Sequence, residues 1–278
     1  MNKSNDYQGS QTEVCEAFWQ WVNKESCELI RQAFDDKWYV QARTQAQGVD
    51  NESLESFNGY YLPCRLYEEE QWELINQGLQ IIDEKTGKHN VLRNKLMNLR
   101  QVDLDRAYDQ AFELVVMSRF AVAGVLENIE DKPSKESGKN IDILLTIDGK
   151  NLYVEVARMA KNLRAPKIRV GVMSPTEQIR QVVNKIKGKV GQLHICPGPT
   201  ILKLCLPDLG ANSHSVRWAL EEHLRKYQDV GAVVIYCRYR FRVVDWYINS
   251  FAETKKRLDN AHINYLEGML GKKAIEIK

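Results

Sequence analysis

Alternating aliphatic residues between positions 141 and 158 predict two β-strands joined by a tight turn. The period of two is characteristic of half-buried strands and is formed by Ile141, Ile143, Leu145, Ile147, Leu152, Val154 and Val156. The Asp-Gly pair at 148–149 lies between the two runs. A type I′ hairpin turn favours this dipeptide, because both of its residues need positive φ. With a two-residue turn at 148–149, Asp142 faces Glu155 across the hairpin.

Apolar residues at helical spacing predict a helical N-terminal region over residues 1–100, with a loop at 48–64. The order then changes to helix, three strands, helix, strand, helix and strand. We predict helices at 103–123, 174–193 and 213–227, and strands at 125–129, in the hairpin, at 200–206 and at 231–239. This order predicts an α/β fold with a mixed sheet flanked by helices in residues 101–248. Residues 249–278 follow as a helical and basic C-terminal extension.

The composition is that of a globular protein, with 44% hydrophobic and 27% charged residues. The most apolar run, 112–126, is interrupted by charged residues, so we expect no membrane span. The N-terminus lacks the apolar core of a signal peptide, which leads us to expect a cytoplasmic protein. The six cysteines form no CxxC pair and fit reduced thiols in that compartment.

The net charge of +2 is unevenly distributed. Residues 1–100 contain 11 basic and 16 acidic side chains, whereas residues 158–192 contain 9 basic and 1 acidic. A basic stretch suggests an anionic partner, of which nucleic acid is the usual one, and a solvated surface is the alternative. The acidic N-terminal helices are a candidate interface for a protein partner or a second copy of the chain.

The opposed carboxylates Asp142 and Glu155 need an explanation, because like charges facing each other across a hairpin are destabilising. A cation between them is one explanation, and Mg²⁺ suits carboxylate oxygens. The alternative is that both side chains point into solvent. Glu113 is a third acid, set among apolar residues of the 103–123 helix. It lies either at the rim of that helix or buried with a partner, and we hypothesise that the helix delivers it to the same site.

These residues resemble the PD-(D/E)xK nuclease superfamily. The resemblance rests on FEL in a helix, NIDILL with Asp142, and YVEVA with Glu155, and it covers about residues 108–239. It implies a restriction-endonuclease-like αβββαβ core. It also implies that Asp142, Glu155 and the carbonyl of Val156 ligate Mg²⁺, for which Mn²⁺ can substitute, with Glu113 completing or tuning the site.

The sequence departs from the superfamily at one position, where Ala157 replaces the lysine that follows the second acid. Some members supply this lysine from the following helix. On a helical wheel, Lys189 lies nearest the buried stripe of the helix at 174–193, with Lys185 and Gln192 on the same flank. We predict Lys189 as the migrated lysine and Lys185 as the second choice. The alternative is that Lys189 only extends along the rim of the packed face.

The resemblance and the charge pattern together predict a Mg²⁺-dependent nuclease, with DNA preferred over RNA as substrate. The predicted nucleic-acid contacts are Arg158, Lys161, Arg164 and Gln192. The alternative is a nuclease fold that has lost its chemistry and serves as a nucleic-acid-binding or assembly subunit. Ala157 favours this alternative, whereas the three retained acids favour the enzyme.

Overall fold

The chain divides into two compact units, Met1–Val122 and Ala123–Lys278. The structure is a computed structural model that describes residues 11–47, 61–100, 104–133, 138–158, 175–206, 213–237 and 241–277. The second unit contains the hairpin.

The first unit is helical in its described part. Its helices are α1 (Gln11–Glu25), α2 (Glu28–Ala33), α3 (Asp36–Gln47), α4 (Tyr61–Glu68), α5 (Trp72–Thr86), α6 (His89–Asn98) and α7 (Leu104–Val122). Their apolar stripes meet in an aromatic core around Phe18, whose ring contacts those of Phe34, Trp38 and Trp72. The N-terminal aromatic residues therefore form packing contacts with one another, which is the usual way for large apolar side chains to leave water.

The second unit is built on a seven-stranded mixed sheet in the order β1 to β7. The strands are β1 (Leu126–Asp131), β2 (Ile141–Ile147), β3 (Lys150–Arg158), β4 (Thr200–Leu206), β5 (Ala232–Cys237), β6 (Val243–Asn249) and β7 (Ile275–Ile277). Strands β3, β4 and β5 run parallel at the centre, and β1 to β3 form an antiparallel meander. The predicted α/β class with a mixed, helix-flanked sheet is confirmed.

Helix α8 (Pro175–His194) connects β3 to β4, and α9 (Ser213–His223) connects β4 to β5. Both cover one face of the sheet, because the apolar stripe of α8 must be buried and a parallel connection places its helix on a face. The resulting core includes Val182 and Ile186 of α8 together with Ala157, Leu202 and Leu204 of the sheet. Helix α10 (Asn260–Leu270) contacts β2.

The turn of the hairpin has the predicted geometry. Asp148 and Gly149 have φ values of 50° and 75°, as a type I′ turn requires. Ile147 pairs with Lys150, and the ladder continues to the pair Ile143 and Val154. The register inferred from the sequence is therefore confirmed over these five pairs.

Several predicted boundaries differ from the observed ones. The predicted loop at 48–64 is wrong at its end, because Tyr61 begins α4, whose buried side chains Leu62 and Cys64 pack into the first unit. The strand predicted at 231–239 is observed as far as Cys237, and positions 238 and 239 lie outside the described residues. Helix α7 is part of the first unit, where Ser118 of α7 lies against Gly78 of α5, and the domain boundaries predicted at 100/101 and 248/249 stay predictions. The C-terminal 249–278 extension contributes β7 to the sheet.

Among the described residues, no helix has the length and apolar character needed to cross a membrane.

Candidate active site

The open end of the hairpin is held by its two opposed acids. The backbone N–H of Asp142 donates to Oε1 of Glu155 at 3.2 Å, and the backbone N–H of Val156 donates to Oδ2 of Asp142 at 2.8 Å. Each carboxylate thus accepts a hydrogen bond from the opposite strand. Such charge-assisted bonds to backbone N–H groups are stronger than neutral ones, and they offset part of the repulsion between the two acids.

Lys189 of α8 lies against both carboxylates. Its Nζ is 2.6 Å from Oε2 of Glu155 and 3.6 Å from Oδ2 of Asp142. The helix that follows the hairpin therefore brings a cation to the acid pair, as the helical wheel predicted. Its catalytic role stays a prediction.

Position 157, where the resemblance would place a lysine, is closely packed against α8. Ala157 is on the same face of β3 as Glu155, and it is buried in the core that includes Val182 and Ile186 of α8. A long side chain at position 157 would have to displace these apolar residues, and overpacking a core is destabilising. Lys189 approaches from one turn beyond Ile186 and reaches the acids without entering this core.

Glu155 is the most deeply buried member of the group. Its side chain is 0% exposed, whereas those of Asp142 and Lys189 are 21% and 24% exposed. Burial raises the pKa of Glu155 to about 8, and the charge of Asp142 acts in the same direction, while the Lys189 ammonium opposes both. Burial therefore favours the neutral form of Glu155, whereas the contact with Lys189 favours its charged form.

The C-terminal end of α8 is anchored at two points. Lys256 is fully buried and donates its Nζ hydrogens to the carbonyls of Leu193, His194 and Cys196, the last at 2.6 Å. Gln192 donates to the carbonyl of Asn140 at 3.2 Å. The first contact satisfies carbonyls that a helix end leaves without partners, and the second ties α8 to the chain just before Asp142. Both fix the helix that carries Lys189.

Of the other predicted basic residues, the structure describes Lys185 and Arg158. Lys185 is half-buried on α8 and has no hydrogen bond or ion pair to any residue of the described ranges. Arg158 is 2% exposed and lies on the face of the sheet opposite to Glu155. Lys161 and Arg164 lie outside the described residues. Nucleic-acid binding by Arg158, Lys161, Arg164 and Gln192 therefore stays a prediction.

Glu113 is buried with a partner in the first unit, which was one of the two alternatives considered for it. Its Oε1 accepts a hydrogen bond from Lys95 of α6 at 2.7 Å, and Gln110 lies 3.5 Å from Oε2. A buried carboxylate requires such compensation. Its predicted role as a metal ligand remains a prediction.

Groups of three or more His, Cys, Asp or Glu side chains with the arrangement of a metal site do not occur in the part of the chain that the structure describes. Asp142 and Glu155 provide two carboxylates. The side chain of Asp142 is 21% exposed, so of the two acids it is the one that a cation can reach from solvent. Comparison with protein-family models, curated proteins and solved structures gives no match.

Sequence reasoning did not single out three residues that contact the predicted site residues: Asn140 and Lys256 near α8, and Lys95 beside Glu113 in the first unit. Asn140 contributes only a backbone carbonyl, so its identity carries no signal. Lys256 is far from α8 in sequence, and a lysine in a polar segment gives no sign of burial. Lys95 could have been found, because it lies on the same face of α6 as Leu92 and Leu96 next to an apolar stripe.

Proposed function

We propose that this chain is a metal-dependent nuclease of the PD-(D/E)xK type, acting on DNA in preference to RNA. One observation carries the proposal: Lys189, from the helix after the hairpin, contacts both Asp142 and Glu155, while Ala157 occupies the position where the superfamily has its lysine. Two acids and one lysine thus converge although they come from three elements. The order β1-β2-β3-α8-β4 in the second unit agrees with the βββαβ part of the order that the resemblance implies.

The donor set fits a hard divalent cation such as Mg²⁺, with Mn²⁺ as a substitute. Asp142 and Glu155 would hold it, and the carbonyl of Val156 is the third ligand implied by the resemblance. The side chain of Asp142 is 21% exposed, so a cation can approach the two carboxylates from that side. When bound, Mg²⁺ supplies a water of lowered pKa and stabilises negative charge on a phosphate.

The residues of the chain supply positioning and electrostatics. Lys189 orients the nucleophile and offsets charge that develops on the scissile phosphate, because an oriented ammonium in a partly buried site acts with little screening. Lys256 and Gln192 hold α8 so that Lys189 stays within reach of the carboxylates. Lys161 and Arg164 are the basic residues predicted to attract the phosphate backbone.

An inactive nuclease fold that binds nucleic acid or assembles with a partner is the second candidate. One observation favours it: Glu155 is satisfied internally, since Oε1 accepts from a backbone N–H and Oε2 from Lys189. A closed arrangement of this kind stabilises the hairpin end without any metal.

Cleavage assays separate the two candidates. Wild type is incubated with plasmid DNA, linear DNA, single-stranded DNA and RNA, with Mg²⁺, with Mn²⁺ and with a chelator. We expect cleavage that requires the metal and is lost in Asp142→Asn. Lys189→Met should lower the rate by about 10²-fold, the scale of one oriented electrostatic group. Lys187→Met is the matched control, because Lys187 is an exposed lysine on the same helix, and it should cleave like wild type.

Failure of wild type to cleave any of these substrates in either metal would refute the enzyme. Retained binding of nucleic acid with steep salt dependence would then support the second candidate. Equal rates in Lys189→Met and Lys187→Met would remove Lys189 from the mechanism and make Lys185 the next lysine to test.

A further inference from the structure

We propose that Lys189 is a built-in competitor of the divalent cation: in the metal-free protein its ammonium lies against both Asp142 and Glu155, and metal loading displaces it. The inference rests on the metal site of the proposed function and adds a regulatory step to it. In the metal-free protein the Lys189 side chain stabilises the two carboxylates by contacting them. Once displaced by metal, the same side chain can bind a phosphate.

The geometry of Glu155 favours this displacement. Its side chain is fully buried, and both carboxylate oxygens already accept hydrogen bonds, Oε1 from the backbone N–H of Asp142 and Oε2 from Lys189. A cation that binds Oε2 therefore comes within a few ångströms of the Lys189 ammonium. At that separation in a poorly solvated site the two positive charges repel strongly, which favours displacement of the ammonium.

Lys189 is able to move while the helix that carries it stays fixed. The end of α8 is held by Lys256, which donates to its last two carbonyls and to that of Cys196 just beyond, and by Gln192. The side chain of Lys189 is 24% exposed and has a flexible four-carbon stem. Displacement is thus a rotation of one side chain, and the released ammonium remains tethered within a few ångströms of the carboxylates.

The order of events follows from this competition. Without metal, Lys189 is engaged with the acids and is not available to a phosphate. Metal loading satisfies the acids and frees the lysine, so the residue that assists cleavage becomes available only when the metal is present. The metal affinity of wild type is correspondingly reduced, since only the fraction of molecules with a displaced lysine can bind.

Amine labelling of wild-type protein tests the displacement directly. The protein is treated with an acetylating reagent in the presence and absence of Mg²⁺, and modification of each lysine is measured by mass spectrometry. We expect labelling of Lys189 to rise severalfold with Mg²⁺, while that of Lys187 on the same helix stays constant. The rise should be absent in Asp142→Asn. Unchanged labelling of Lys189 at a magnesium concentration that raises the melting temperature would overturn the inference.

Metal affinity gives an independent measurement without cleavage. Titration calorimetry with Mn²⁺ is carried out on wild type, Lys189→Met and Lys187→Met. If Lys189 competes, Lys189→Met should bind Mn²⁺ about tenfold more tightly than wild type, the gain expected when a binding-competent state populated at about 10% becomes the main one. Lys187→Met should match wild type.

The outcomes separate this inference from the proposed function. Equal or weaker Mn²⁺ binding by Lys189→Met overturns the competition, yet metal-dependent cleavage by wild type would still stand. Tighter binding by Lys189→Met without cleavage by wild type supports the competition and refutes the nuclease. Absence of Mn²⁺ binding in all three proteins overturns both.

Discussion

Replacement of Glu155 by glutamine should change how the stability of the protein depends on pH. Glu155 is fully buried next to Asp142, and its pKa is raised from an ordinary 4.5 to about 8. Between these two values the folded protein holds a proton on Glu155 that the unfolded chain has lost. The unfolded state then binds fewer protons, so the free energy of unfolding of wild type falls as pH rises through this range.

The size of the effect follows from the shift. Each unit of pKa difference corresponds to about 1.4 kcal/mol, so raising the pH from 5.5 to 8 should cost wild type on the order of 3 kcal/mol from this group. A glutamine at position 155 does not titrate and retains an amide oxygen that accepts from Lys189. The stability of Glu155→Gln should therefore lose this contribution and vary less over the same range.

Urea unfolding at several pH values, without metal, measures the difference. The free energy of unfolding of wild type and Glu155→Gln is compared at pH 5.5, 6.5, 7.5 and 8.5, with the slope of the unfolding curves checked for constancy. Two curves that run parallel with pH would refute the reasoning. They would mean that Lys189 outweighs burial and keeps Glu155 ionised throughout.

Four further substitutions test the packing within each unit, with chemical denaturation as the measurement. Gly231→Ala should destabilise the protein by about 3 kcal/mol, because its Cβ would lie 2.0 Å from the carbonyl oxygen of Lys256; an unchanged midpoint would contradict the close packing. Lys256→Met should cost about 3 kcal/mol, since it leaves the end of α8 without its buried donor, and wild-type stability would show that water replaces the lysine. Gly78→Ala should destabilise the first unit by about 2 kcal/mol, because its Cβ would lie 2.3 Å from Ser118. Gly87→Ala is the comparison: its Cβ would lie in open space, so any loss of stability should come only from the positive φ at this position.

Local features of the fold were predictable because they depend on neighbours in the chain. The Asp-Gly turn requires two residues with positive φ, and that requirement fixed the pairing of β2 and β3. The alternation of aliphatic residues identified the strands, and the helical wheel ranked Lys189 above Lys187 because only one of them adjoins the buried stripe. Periodicity predicts which side of an element faces the core.

The limits of the helical N-terminal unit were less predictable. Helix α7 looks like the first element of the α/β core when read in order along the chain. Its apolar side chains instead pack on α5, with Ser118 against the backbone at Gly78, a contact that sequence order does not reveal. A boundary between units depends on which buried faces meet, and several partners are compatible with one amphipathic stripe.

The sequence alone determined that Asp142 and Glu155 would face each other. A two-residue turn at 148–149, together with apolar residues at every second position of both strands, is compatible with only one pairing register of the hairpin. Only the tertiary structure decided what stabilises them. Lys189 lies 34 residues beyond Glu155, and its approach depends on how α8 packs over Ala157 and on the buried Lys256 that anchors the helix end. Charge compensation of a buried acid depends on distances of a few ångströms between elements, and no local pattern encodes these distances.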